Sequence, residues 1–389
     1  MGSHDRKKAI IIGGGIGGMT AAIALKQAGM DVAVYEQAPE LREVGSGLPL
    51  WTNALRALQK LGLVDEIVKL GESVTAGSIT TWRGDILTDL RTEELLKRLG
   101  TINMVVHRAE LLAALLEALG TEHVHLGAMC SGCSQNDNGV YAHFVDGNEV
   151  EGDLLIGADG LHSSIRSQLF GVIKPGYAGY TCWRGVSHIA RTGLETYAWG
   201  KGYQLGITPM TKGRAYWFAQ RNMPEGAGDK PCGRKNEVLE MFHDWHDPIP
   251  AVIEATAEKD ILRNDIYELP LLHQWSRGRV TLLGDAAHAM TPNLGQGACQ
   301  AIEDAAALGA CLKAEPDVVT ALKLYEAKRI KRSHRIARLA RFAGVGVQVE
   351  NPVISSARNY VLKRIPVNTQ LQRLMWILDY DGGGPLNRS

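Results

Sequence analysis

Charge of one sign is missing. Lys plus Arg and Asp plus Glu both number 42 among the 389 residues, and no domain-scale basic excess is visible. That argues against a nucleic-acid partner, which needs concentrated positive charge. Long apolar runs are missing too. The charge-free stretch 9–25 follows Arg6, Lys7 and Lys8, but Gly13, Gly14, Gly15, Gly17 and Gly18 interrupt it. It also falls short of the ~20 residues a membrane span requires, so no transmembrane segment or signal peptide is expected. Cysteine is scarce, at six residues, which excludes a disulfide scaffold. Cys130 and Cys133 form a C-x-x-C, but no second pair follows at metal-site spacing, so ordinary cysteines around a strand turn are expected. His243 and His246 read as a lone pair on a helix. No metal site is expected, and a reducing cytoplasm fits best. No Ser/His/Asp set, internal repeat or low-complexity segment stands out.

What is present is an ordinary globular balance, 45% hydrophobic and 22% charged, in a 42.3 kDa chain. Roughly two or three domains fit this length. Glycine is abundant, at 44 residues, as tight turns and close backbone approaches require. Residues 8–12 (Lys-Ala-Ile-Ile-Ile) read as a buried parallel strand. A glycine turn, a helix over 16–27 and a strand over 31–35 complete a βαβ unit. A helical pattern over 52–70 breaks near Gly62, a helix covers 108–119, and 153–156 is another buried strand. Between 177 and 221 the texture changes: 180–186, 203–208 and 214–220 alternate as antiparallel strands do, and aromatics are dense. Parallel character returns at 279–283, followed by long helices over 297–313 and 318–342. The tail 352–380 is helical, with Arg358, Lys363 and Arg364 read as a solvated face.

Gly13, Gly15 and Gly18 form G-x-G-x-x-G between a strand and a helix that starts at Ile16 and Gly17. The first glycine permits a tight turn, the second lets a pyrophosphate approach the backbone, and the third lets helix and strand pack closely. The helix start offers free N–H groups to the phosphate. Glu36, at the end of the next strand, is placed to bind ribose hydroxyls. An acid there repels a 2′-phosphate, so the adenosine belongs to FAD or NAD. Further on, 279–283 leads into Gly284-Asp285-Ala286-Ala287-His288, then Pro292 and Leu294-Gly295-Gln296-Gly297-Ala298. A strand ending in Gly-Asp presents a carboxylate that could grip a polyol. The glycines opening the long helix could hold the polar edge of a ring system. For each residue a plain structural role is also open: a cap for Asp285, a satisfied buried imidazole for His288, and a helix cap for Asp159 in Gly157-Ala158-Asp159-Gly160.

Taken together, these words resemble the single-component FAD-dependent aromatic hydroxylases, in the branch of salicylate hydroxylase, urate hydroxylase and zeaxanthin epoxidase. The resemblance spans roughly 8–345. Arg42-x-x-Gly45-x-Gly47, Val106-His107-Arg108 and Trp183-Arg184-Gly185 add to it. It implies an α/β fold: a Rossmann-like FAD-binding domain with an inserted antiparallel-sheet substrate domain and a C-terminal helical region. The expected boundaries are 7–176 and 270–345 for the FAD-binding parts, 177–269 for the substrate domain and 346–389 for the C-terminal helices. The resemblance also implies that Arg42, Gly47 and Arg108 approach the FAD, that Asp159 bridges FAD and a transient nicotinamide site, and that Asp285 holds the ribityl chain. Pro292 would lie beside the oxygen-accepting flavin carbon, with Gly295, Gln296, Gly297 and Ala298 along the pyrimidine edge.

The activity so implied is an NAD(P)H-consuming monooxygenase, acting through a flavin hydroperoxide. NADH or NADPH would be a transient reductant, and O2 and an electron-rich aromatic or unsaturated small molecule the substrates. A flavin oxidase or reductase without oxygen insertion is the alternative, and a non-enzymatic flavoprotein a further one. A monomer or homodimer in the cytoplasm is expected. His288 and Tyr216 are the candidate general bases. The pocket is expected to use Gln204 and Tyr216 for hydrogen bonding, with Trp183, Phe218 and Pro49 as wall. Gln204 stands where the urate-hydroxylase branch is expected to carry an arginine, and Arg184 and Arg221 are the arginines left to clamp a carboxylate. A neutral or weakly acidic, largely apolar substrate follows.

Overall fold

In the computed structural model, residues 6–41, 46–74, 76–89, 103–189 and 195–380 are described. A six-stranded sheet runs in the order Ser276–Arg277, Val280–Leu282, Leu154–Gly157, Lys8–Ile12, Asp31–Glu36, Val124–Leu126. All neighbours are parallel except the short first pair. Ile10, Ile11, Leu154, Leu155 and Ile156 are fully buried, as strands covered on both faces must be. The sheet thus joins chain from both sides of the segment 177–269. Its nearest helical layer is Ile16–Gln27 against Gly297–Ala314. That contact is tight: a Cβ added at Gly309 would stand 2.9 Å from the Ala24 Cβ.

A seven-stranded sheet forms the second layer system. Its order is Leu262–Glu268, Gly176–Ser187, Arg214–Asn222, Tyr203–Met210, Glu195–Trp199, Gly77–Thr81, Ile86–Asp89. The sheet is therefore wider than the 177–269 expectation. Glu195–Trp199 pairs in parallel with Gly77–Thr81, so an early hairpin extends one side of the sheet. Trp183, Leu205, Ile207, Trp217 and Ala219 pack on one face against the helices Arg234–Phe242 and Ile249–Glu254. On the opposite face Val186, Met210 and Tyr216 pack with Val105.

Two small three-stranded sheets complete the β-structure among the described residues. One joins Gly47–Trp51, Asn103–His107 and Gly71–Val74. The other contains Cys130–Gln135, so Cys130 and Cys133 lie within a strand rather than around its turn. Both thiols are free and buried, and burial pushes Cys133 up to about 11. The described residues hold no group of His, Cys, Asp and Glu that could bind a metal ion. The C-terminal helices are Val318–Val347, Pro352–Leu362 and Val367–Leu378. Arg358 departs from the solvated-face expectation. It donates to the carbonyls of Gly346 and Val347 at 3.0 and 2.9 Å, and its guanidinium stacks 5.1 Å from the Trp199 ring centroid. Among the described residues no helix is long and apolar enough to cross a membrane.

Candidate nucleotide and substrate site

The first glycine turn divides into residues that shape the fold and residues that leave room. Gly13 has φ +109°, and an added Cβ would lie 2.3 Å from the Ala158 carbonyl oxygen. At Gly18 the same atom would lie 1.9 Å from the Gly13 carbonyl oxygen, so helix and strand meet only because it is absent. Gly15 differs. It caps the helix with extended backbone, no side chain satisfies the first N–H groups, and nothing lies within 4 Å of an added Cβ. An anion can approach these amides directly. Glu36 accepts from the Gly14 N–H at 2.6 Å and the Ala38 N–H at 2.9 Å, which fixes its carboxylate at the end of strand Asp31–Glu36. Arg42 lies outside the described residues.

The second turn is held from behind. Gly284 adopts φ +62°, and exposed Asp285 opens the short helix Asp285–His288. Buried Asp304 accepts from the Gly284 N–H at 3.1 Å, from His288 Nε2 at 2.6 Å and from Arg329 Nε at 2.6 Å. Neighbouring Glu303 accepts from Arg329 and Arg332 at 2.5–2.8 Å and from Asn53 at 2.5 Å. Burial alone would raise both carboxyls. Arg329 and Arg332 at Glu303, and His288 and Arg329 at Asp304, outweigh it and hold both below the ordinary range. His288 is thus a member of a sealed charge cluster, packed against Trp275. It does not line the cavity described below, and its Nε2 is engaged by Asp304, whereas a base must reach the proton it takes.

Asp159 is split between two roles. Its Oδ2 caps the helix Ser164–Phe170, accepting from the Ser164 and Ile165 N–H groups at 2.8 and 3.3 Å. Its Oδ1 is buried with no partner among the described residues. Arg108 heads the helix Arg108–Leu119, its N–H bonded to the Ser46 carbonyl at 3.0 Å. Burial lowers its guanidinium pKa, while nearby Asp285 pulls the other way. Gly295, at φ +60°, ends a 3-10 turn over Pro292–Leu294. Gln296 then caps the helix that starts at Gly297 and Ala298, where an added Cβ on Gly297 again meets nothing within 4 Å.

A cavity of about 770 Å³ lies between these turns and the seven-stranded sheet. Asp285, Pro292, Gly295, Gln296, Gly297, Ala298, Arg108, Gly47 and Pro49 line one side, and Gln204, Thr208, Tyr216, Phe218 and Gln220 the other. The strand register explains the second set. Gln204 faces Gln220, Gly206 faces Phe218 and Thr208 faces Tyr216, so all share one sheet face. Gly206 leaves a dip that Phe218 and Tyr197 lean over. Gly47 lets the Tyr216 ring press on the strand Gly47–Trp51, since an added Cβ would stand 2.4 Å from Tyr216 Cγ. Burial raises the Tyr216 phenol well above its usual range, with Arg184 and Arg108 opposing.

Trp183 is the misplaced expectation. It is fully buried on the far face, in the core with Trp217 and Phe242, while its neighbours Cys182 and Arg184 line the cavity. Period two separates the faces of a strand but does not say which one meets a ligand. Arg221 also points elsewhere, with its guanidinium 5.0 Å from the Tyr203 ring centroid. Sequence reasoning missed Glu195, Tyr197 and Arg358, all on the cavity. Glu-x-Tyr-x-Trp over 195–199 was the available signal for the first two: a short alternating strand with one polar face.

Residues 6–340 match the family description "FAD binding domain". The chain is 40% identical over 328 residues to the aurachin C monooxygenase/isomerase of Stigmatella aurantiaca, covering 84% of this chain and 85% of that one. It is 35% identical over 340 residues to an FAD-dependent urate hydroxylase of Klebsiella pneumoniae, covering 86% and 88%. A crystal structure of an arginine-to-glutamine variant of Klebsiella pneumoniae HpxO complexed with FAD superposes with a TM-score of 0.92 at 32% identity, covering 98% of this chain and all of that one.

Proposed function

The chain belongs to the FAD binding domain family of flavoprotein monooxygenases, and from that premise we propose how its residues divide the work. The protein is an FAD-dependent, NAD(P)H-consuming monooxygenase that places one oxygen atom of O2 on a small electron-rich molecule. When bound, FAD supplies the electron store and the oxygen activation that amino-acid side chains lack.

The residues fit that cofactor. Gly13, Gly15, Ile16, Gly17 and Gly18 would hold the pyrophosphate, because the open space above Gly15 is lined by unpaired amides. Glu36 would take the adenosine ribose, and Arg42 would belong to the same end. Asp285, held outward by Asp304 behind Gly284, would accept from the ribityl hydroxyls. Arg108, Gly47 and the unpartnered Oδ1 of Asp159 face the same ligand in this reading. The open helix start at Gly297, with Gly295, Gln296 and Ala298, would favour negative charge on the ring edge beside it. Pro292 would pack on the ring.

The observation that carries the reading is the cavity itself. It has Asp285 and the 295–298 turn on one wall and the antiparallel sheet on the other. Gln204, Tyr216, Phe218 and Pro49 would then orient the substrate and keep water out, within a sheet domain inserted between two FAD-binding parts. Leu48, Pro49, Ile79, Tyr197 and Phe218 on the wall favour a neutral, largely apolar aromatic or unsaturated substrate. The free thiols favour a reducing cytoplasm, and we place the protein there as a monomer or homodimer. The test is direct. Purified protein is expected to be yellow and to release FAD on denaturation. Asp285→Ala is expected to weaken FAD binding at unchanged fold. Release of FMN, or FAD affinity indifferent to Asp285→Ala, overturns the assignment.

A further inference from the structure

One buried acid on the cavity is still without a task. Glu195 opens the strand Glu195–Trp199 and is only 7% exposed. Three donors converge on a single oxygen of its carboxyl. The Tyr197 hydroxyl donates to Oε1 at 2.5 Å, the Thr208 hydroxyl at 3.0 Å and the Asn103 amide at 3.5 Å. Oε2 takes no hydrogen bond from a described residue; it stands over Gly77, 3.5 Å from where a Cβ would be, so the missing side chain there leaves it room. The three donors fix the carboxyl plane, and with it the direction of Oε2.

The surroundings select what can meet that oxygen. Thr196 pairs with Ile207, which sets Glu195 beside Thr208, and Thr208 pairs with Tyr216. Glu195 and Tyr216 therefore stand two strands apart, ~10 Å between backbones, on the same face. Among the described residues, the groups acting on Glu195 are Tyr197 and Thr208, and no cation is among them. Tyr216 is the next titratable group across the face. An idle carboxylate oxygen in such a place is unfavourable unless a ligand donates to it. A negatively charged ligand group would be repelled there.

We propose that Glu195 is a specificity-determining residue, whose Oε2 accepts a hydrogen bond from a ring N–H or O–H of a neutral aromatic substrate. This deepens the substrate reading above and rests on it. A pocket built to bond a donor rejects the analogue lacking it, because its own polar group is then stranded.

The experiment titrates FAD-loaded protein with 2-naphthol, with its donor-free ether 2-methoxynaphthalene and with anionic 2-naphthoate, following the flavin absorbance. The wild type is expected to bind 2-naphthol about 10- to 100-fold more tightly than the ether, and 2-naphthoate worst. Glu195→Gln keeps an acceptor for the three donors but turns an N–H toward the cavity. It should retain FAD and ether affinity while losing the preference for 2-naphthol. Tyr197→Phe and Thr208→Val each remove one donor from Oε1 and should weaken the preference several-fold, which serves if Glu195→Gln folds poorly. The preference should also fade as pH drops through the Glu195 pKa, which burial raises above 4.5, and Glu195→Gln should abolish this pH dependence. Equal wild-type affinity for 2-naphthol and its ether, or a preference that survives Glu195→Gln, overturns the proposal. Failure of the wild type to hold FAD or to oxidise NAD(P)H would instead overturn the cofactor reading, and the proposal with it.

Discussion

Gly15 and Gly18 belong to one motif, yet the structure assigns them opposite consequences on substitution. At Gly15 the backbone is already extended, with φ −73° and ψ −179°, and an added methyl meets nothing within 4 Å. Gly15→Ala should leave the FAD-free protein nearly as stable as before. Reduced chain entropy in the unfolded state contributes about 0.4–1 kcal/mol, and a poorer helix cap offsets a similar amount. The same methyl enters the space above the helix amides. FAD affinity should fall by about one to two orders of magnitude, or roughly 1.4–2.8 kcal/mol. Gly18→Ala puts its methyl 1.9 Å from the Gly13 carbonyl oxygen, so the helix must move off the strand. Overpacking of this kind costs about 1–3 kcal/mol before any ligand is considered. Thermal unfolding of the FAD-free proteins and fluorescence titration with FAD separate the two effects. The expected pattern is an unchanged melting temperature with weak FAD binding for Gly15→Ala, and a lowered melting temperature for Gly18→Ala. A Gly15→Ala protein that binds FAD like the wild type would refute the reasoning, because the open space would then have no ligand in it.

Other outcomes follow from the same geometry. Tyr216→Phe should keep fold and FAD but lower the ratio of oxygenated product to NAD(P)H consumed several-fold, since one orienting hydrogen bond is worth about 0.5–1.5 kcal/mol; an unchanged ratio in coupled product and peroxide assays removes Tyr216 from the site. His288→Ala should destabilise the protein by breaking its bond with buried Asp304 while leaving that ratio untouched, and a changed ratio at full FAD content would restore His288 as a catalytic candidate. Arg329→Met should cost about 3–5 kcal/mol, because Glu303 and Asp304 lose their shared cation in a dry site. These two carboxyls are depressed, Glu303 by Arg329 and Arg332 and Asp304 by His288 and Arg329, so their contribution to stability is complete above the ordinary carboxylate range and is lost as pH falls through their folded values. Urea unfolding of the wild type from pH 7 to pH 3 should show this loss, and a pH-independent midpoint would contradict it.

The two ends of the chemistry were legible in the sequence to different degrees. The 8–36 unit was readable because an Ala-Ile-Ile-Ile strand, three spaced glycines and a terminal acid are all local signals. The strand 279–283 and the long helices were readable for the same reason. The sheet edge was not. Gly77–Thr81 joins Glu195–Trp199 across more than a hundred residues, and pairing at such range leaves no local trace. Trp183 was assigned to the wrong face because both faces of this sheet are covered, one by helices and one by the cavity. Alternation then gives two buried sets without ranking them. His288 was ambiguous because its partner, Asp304, comes from another helix. An imidazole after a Gly-Asp turn looks equally suited to catalysis and to structure until that acid is seen at 2.6 Å.

The central claim is oxygen insertion, and isotopic oxygen tests it most directly. FAD-loaded protein, NADH or NADPH and a panel of neutral hydroxyaromatic compounds would be incubated under 18O2, with product mass and NAD(P)H oxidation followed together. One 18O atom per product molecule, formed in step with NAD(P)H consumed, is the predicted result. NAD(P)H oxidation that yields only labelled hydrogen peroxide with every compound, or a product whose new oxygen comes from water, would contradict it.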